Sequence, residues 1–298
     1  MKSFLKQILL IFKKNKINIK HLGVNKFKMN IIEIIKSNYG SLTNKQKNVA
    51  DYLIDKPSDI CYVSLDTLSK KISCSEVTIL RFCKKIGIDS FIDLKEAFRN
   101  YTQILVNKHS VSSYSVPSEI TDNNSKIDYL KNICSEELDK MINFYNSVDL
   151  ESILSIAELI YKKHIIYLFA HDASKTLASF LKVRLDVLNL NVVFVDLSDM
   201  NEVEYIMKQI TKDDVSIFLS FPNYYFSIKS VAENIKNNDC EIVLLTDSLN
   251  CPISDCTDNI LMCNTKTKIF YNSWLLPTAL INILTSILAM FIEDSSDF

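Results

Sequence analysis

Five short apolar runs, HIIYLFA, NVVFVDL, VSIFLSF, EIVLLTD and NILMCNT, recur between residues 164 and 265. All but the last two are separated by stretches of helical length and period, such as SKTLASFLKVRLDVLNL and SIKSVAENIKNN. Runs that stay apolar from end to end, rather than alternating, predict strands buried on both faces, and a parallel sheet covered by helices supplies that environment. The expectation is an open, parallel five-stranded sheet flanked by helices, with two further helices near 127–147 and 149–162 leading into it. Ligands of such sheets sit beyond the carboxyl ends of the strands.

Residues 30–100 carry a different period, that of amphipathic helices. Thr43 is a good N-cap for NKQKNVADYLID, which places Val49, Tyr52 and Leu53 on one face before Pro57 ends it. Ser64 can cap LDTLSKKI, and Ser75 can cap a third helix that stops at Gly87, where a left-handed residue is wanted. SFIDLKEAFRNYTQIL continues as a fourth. The stretch 107–126, rich in Ser and Asn and without apolar period, reads as a linker. The expected organisation is a tail at 1–28, an all-α domain at 29–106, the linker, and an α/β domain at 127–298.

Charge is unevenly placed along this chain. Residues 1–28 hold eight Lys and no acid, so a formal net charge of −1 conceals a body with 26 cations against 35 acids, net −9. The tail reads as a mobile basic arm or an over-long start before Met29, with a membrane-surface helix as the alternative. Its apolar run ILLIF is too short to cross a bilayer, and the expectation is a cytoplasmic protein that does not engage membranes. Eight scattered Cys form no CxxC pair, and four His form no cluster. No metal or cofactor is expected, and the cysteines read as reduced, mostly buried thiols.

Against that acidic body the segment SCSEVTILRFCKKIGI, residues 73–88, is a cationic exception. A helical period puts Ile79, Phe82, Cys83 and Ile86 on one stripe, able to pack on Leu68 and Ile72, and leaves Val77, Arg81 and Lys84 opposite. Two helices joined by a turn as short as SCS describe a helix-turn-helix, whose second helix enters the major groove of double-stranded DNA. Ser75, Glu76, Val77 and Thr78 would stand near base edges, with Arg81, Lys84 and Lys85 further along, near bases or phosphates. The alternative is the solvated basic face of any helical bundle.

The order of residues in SLTNKQKNVADYLIDKP and VSLDTLSKKISCSEVTILRFCKKIGIDSFIDLKEAF resembles the N-terminal domain of RpiR/MurR-type bacterial transcriptional regulators. Ser75, Thr78, Arg81, Phe82, Lys85, Gly87, Phe91, Asp93, Leu94 and Lys95 fall where the family's hallmark expects them. Ser73 replaces the usual turn glycine and Cys74 the usual valine. The resemblance implies that the second half is a sugar isomerase (SIS) domain sensing a phosphorylated sugar, with GxGxS and SxSGxT loops around the phosphate. Here the first loop reads AHDAS and the second SFPNYY. Ser174 and Ser220 are retained, whereas Ala170, Asp172, Pro222, Asn223 and Tyr225 replace the glycines, serine and threonine.

That exchange weakens the expected phosphate site. Glycine allows the close backbone approach and positive φ that amide cradles need, proline removes a donor, and Asp172 adds like charge. One such charge pair at about 4 Å costs roughly 1 kcal/mol in water and about 4 at an effective dielectric of 20. A phosphosugar would be held by Ser174, Ser220 and the TDS at Thr246, Asp247 and Ser248, with His171 and Asn223 as further candidates for ligand contact. Three readings stay open at this point: a phosphosugar sensor, a domain binding something else through Tyr224, Tyr225 and His171, and a domain that only oligomerises. Either retained serine could instead cap the helix after it. An enzyme, with His171, Glu202 or Glu204 as base in a sugar-phosphate isomerisation, is the reading from another class, and the expectation is a regulator without catalytic residues. The end helix NSWLLPTALINILTSILAMF is apolar nearly all round, which suggests an interface and a homodimer or homotetramer.

Overall fold

The computed structural model describes residues 30–109, 115–222, 224, 225 and 227–296; the basic tail expected at 1–28 lies outside them. Helices α1 (Ile31–Asn38), α2 (Asn44–Asp55), α3 (Leu65–Ile72), α4 (Glu76–Lys85) and α5 (Phe91–His109) form the head. Its boundaries follow the capping residues. Thr43 accepts from the Gln46 amide while Gln46 returns a bond to the Thr43 amide, and Ser64 and Ser75 accept from the Thr67 and Thr78 amides. Ser73 ends α3 in the left-handed conformation, φ 55°, with the Cys74 amide reaching back to the Ser69 carbonyl. The turn that the family builds with glycine is thus kept by a serine. Gly87, φ 81°, closes α4 in the same way, the Ile88 amide bonding the Cys83 carbonyl.

Helices α6 (Asn123–Ser147) and α7 (Leu150–Tyr161) lead into the second half. The expected linker is helical at both margins, because α5 runs on to His109 and Asp122 caps α6 by accepting from the Asn124 and Ser125 amides. Then follow β1 (Ile166–Ala170), α8 (Ser174–Val187), β2 (Val192–Asp196), α9 (Met200–Met207), β3 (Val215–Leu219), α10 (Ile228–Lys236), β4 (Glu241–Thr246), β5 (Ile260–Met262) and α11 (Leu275–Ser296). All five apolar runs are strands, every pairing is parallel, and the order is β2-β1-β3-β4-β5. The order reverses between β1 and β3, which makes the carboxyl ends of these two strands the topological switch point of the sheet.

Strand alternation divides two cores. Ile166, Leu168, Ile217 and Val243 face α7, α8 and α11. Tyr167, Phe169, Phe218 and Leu244 face α9 and α10, and this second core continues into the head through Ile60, Cys61 and Tyr62. Phe169 and Phe218 stack at its centre, centroids 4.7 Å apart. Helix α11 has the length and apolarity to cross a membrane, but Leu280, Leu284 and Leu288 are buried in the core against α7 and α8. That packing accounts for one side of the helix, 44% of its apolar window being buried within the chain, while Met290 is exposed and Ile283 and Ile287 are half-buried.

Gly87→Ala tests the role of the αL closure. Nothing lies within 4 Å of an added Cβ, so the change meets only backbone strain, and stability should fall by about 1 kcal/mol in equilibrium urea unfolding, with Gly87→Asn losing less.

Candidate functional site

Helix α4 presents two unlike faces. Ile79, Phe82 and Cys83 are fully buried, as is Leu68 of α3, and Ile86 is nearly so. Ser75, Glu76, Val77, Arg81, Lys84 and Lys85 are exposed and Thr78 is half-buried, so all seven sequence-derived contact residues reach one surface. Ser75 is already engaged there, since its hydroxyl caps α4 and lies 2.9 Å from the Thr78 hydroxyl. Lys70 and Lys71 pair with Asp66 and Asp59, while Arg81, Lys84 and Lys85 make no ion pair with a described residue.

The fold adds neighbours that spacing could not reveal. An open cleft of about 510 Å³ joins Lys45 and Asn48 of α2 to Ser73, Cys74 and Ser75, and another of about 370 Å³ joins Thr43 and Lys45 to Thr78 and Arg81. The N-terminal turns of α2 and α4 are some thirty residues apart in sequence and only packing brings them together. Leu80, 38% exposed on α4, was also missed; as an apolar residue it reads as core unless the helix phase is known.

The second group of residues gathers at the topological switch. His171 and Ser174 follow β1, Ser220 follows β3, and with Leu197, Phe221 and Tyr225 they line one cavity. Its volume is only about 10 Å³, too little for a small ligand. Tyr225 fills the place: it is 3% exposed, and its ring lies 4.8 Å from that of His171. Asp172 adopts φ 50°, so the left-handed path that glycine would take survives its replacement; Asp tolerates this region better than most residues.

Neither retained serine caps a helix. The N-caps of α8 and α10 are Ala173 and Ser227, without a side-chain capping bond, and the Ser220 hydroxyl instead takes a weak bond from the Cys251 thiol at 3.5 Å. Thr246 is fully buried at the end of β4, and the Ser248 hydroxyl accepts from the Asn250 amide in the following turn; neither lines the cavity. Asn223 lies outside the described residues. Tyr224 turns elsewhere, donating to Asp247 at 2.5 Å.

The head docks beside this cleft. Tyr62, 5% exposed, shares a 2.8 Å hydrogen bond with the Tyr225 hydroxyl. Asp59 accepts from Ser230 of α10 at 2.6 Å. Lys95 and Arg99 of α5 converge on Glu204 of α9, and Arg99 also donates to Asn201 at 2.7 Å and to the Cys61 carbonyl. Burial would raise the Glu204 carboxyl, but the hydrogen bonds and charges of Lys95 and Arg99 outweigh it and hold it below its ordinary value. Glu204 is thus engaged in docking the head, and Glu202 is exposed on the first turn of α9. None of these tethers was visible in the sequence, where PSDICYV has no distinguishing period.

Residues 29–104 match the model of the rpiR-family helix-turn-helix domain, and residues 159–287 match the SIS domain. The chain is 26% identical over 270 residues to an uncharacterized HTH-type transcriptional regulator of Haemophilus influenzae, covering 90% of this chain and 92% of that one. It is 21% identical over 220 residues to the HTH-type transcriptional regulator HexR of Escherichia coli, 74% and 73% of the two chains. Among solved structures, the sugar isomerase domain of an RpiR transcription factor from Sphaerobacter thermophilus shares the fold, with a TM-score of 0.50 at 17% identity over 56% of this chain and 96% of that one.

The cleft carries a pH signature. Burial lowers the His171 pKa despite the upward pull of Asp172 and Asp196, with Lys175 acting in the same direction as burial. The folded ring therefore stays neutral where the unfolded chain, near pH 6.5, takes up a proton. Stability held above that pH is lost as pH falls below it, towards the folded pKa. Urea unfolding from pH 7 to 5 should show a decline that His171→Asn flattens.

Proposed function

Because the chain belongs to the rpiR-type helix-turn-helix family and joins that domain to a SIS domain, we propose that it binds operator DNA in the cytoplasm and regulates genes of sugar or amino-sugar phosphate metabolism, without covalent chemistry. The observation that carries the DNA reading is the division of α4, with Ile79, Phe82 and Cys83 fully buried and Arg81, Lys84 and Lys85 open to solvent. Ser75, Glu76, Val77 and Thr78 are the residues for base edges, and the three cations serve bases or phosphates. A body of net negative charge does not oppose this, since fields beyond about 10 Å are screened at 0.1 M salt. Operators read by such proteins match a pair of heads, which fits a homodimer or homotetramer.

The effector reading is a phosphorylated sugar at the switch point of the sheet, approached by Ser174, Ser220 and His171, with Asn223, Thr246 and Ser248 as further candidates from the sequence. Retention of the left-handed turn at Asp172 supports it. The closed cavity favours a second reading, a SIS domain that only joins copies of the chain. Catalysis ranks below both, since Glu204 is held by Lys95 and Arg99. A thermal-shift screen of hexose and amino-sugar phosphates separates the first two: a bound effector raises Tm by mass action, and a scaffold gives no shift.

The DNA reading is tested by mobility shift at low salt with the region upstream of the protein's own operon. Arg81→Ala should weaken binding by about 1–3 kcal/mol, roughly 5- to 150-fold, if the guanidinium makes a bidentate base contact. Unchanged affinity removes Arg81 from the site, and no binding by the folded wild type ends the reading.

A further inference from the structure

The cavity between β1 and β3 and the contact between head and α/β domain share one side chain. Tyr225 closes the cavity with its ring and holds the head with its hydroxyl. Any ligand touching both Ser174 and Ser220 needs the volume that this ring occupies, because the space left is about 10 Å³ and small-molecule pockets run to roughly 300 Å³ and more. Tyr225 must then leave, and Tyr62, itself buried, loses that partner. The second tether is coupled to the same movement: Ser230, which donates to Asp59, lies five residues beyond Tyr225, on the helix that its loop begins.

The geometry points to a latch: a docked head and an open cleft exclude each other, with Tyr225 as the shared element. The inference rests on the regulator reading for its purpose, but the coupling itself concerns two parts of one chain. By linkage, whatever opens the cleft loosens the head, and whatever pulls the head away opens the cleft to the same degree. Docking leaves the cationic face of α4 uncovered, so the latch sets how firmly that face is held relative to the sheet, not whether it is exposed.

Backbone hydrogen exchange of the full-length protein, read by mass spectrometry, tests this without DNA or effector. Tyr62→Phe removes one hydroxyl in the head and touches nothing else in the cleft. It should speed exchange roughly three- to tenfold both at 58–63 and in the loop after β3, with α4 and β1 unchanged as controls of the fold. Glu204→Gln, which weakens docking from α9 and leaves both tyrosines in place, should open the same loop. Faster exchange confined to 58–63 in either protein, with the loop after β3 as slow as in wild type, overturns the latch. If operator binding fails in the mobility-shift test while both exchange results hold, the regulator reading falls and the coupling stands.

Discussion

The buried carboxylate of Asp59 is the contact on which the arrangement of the two halves depends. It is 8% exposed, and a carboxylate taken that far from water costs several kcal/mol unless its oxygens are bonded. Its donors come from both sides: Tyr52 at 2.5 Å within the head, Ser230 at 2.6 Å from α10, and the Lys71 ammonium at 3.6 Å. The full set exists only when the head is docked. An apolar core could slide over its neighbour at small cost, but a buried charge with donors in fixed directions cannot.

Most of the architecture was legible because it rests on local rules. Strands buried on both faces must be apolar throughout, and Thr43, Ser64, Ser75 and Gly87 stand where their cap geometry requires them. What escaped is non-local. The docking turn at Asp59–Cys61 is a single 3-10 turn, too short to show a period. The apolar surround of α11 was visible, but apolarity does not say which part of it the chain itself covers: α7 and α8 bury the side with Leu280, Leu284 and Leu288. At the cleft, Asp172 and Tyr225 read as damage to a glycine-rich phosphate loop. In the fold they are different in kind: Asp172 adopts a left-handed backbone, whereas Tyr225 fills the cavity between β1 and β3 with its ring.

The two faces of the head divide labour cleanly. The turn at Asp59–Cys61, Tyr62 and α5 meet the α/β domain, while α4 and the start of α2 stay clear of it. The proposed DNA surface and the docking surface therefore share no side chain, and either can vary in sequence without disturbing the other's packing. Tyr62 and Tyr225 suit the junction because a phenol fills apolar space with its ring while its hydroxyl both donates and accepts.

Three glycines in 298 residues leave Ser73, Asp172, Asn189 and Asp239 to turn left-handed corners. In the native state each carries strain on the order of 1 kcal/mol. Before folding the balance runs the other way, since a residue with a side chain samples fewer backbone states than glycine does. The denatured ensemble of this chain is correspondingly narrow, and collapse starts from a stiffer polymer that has less disorder to surrender at each of its bends.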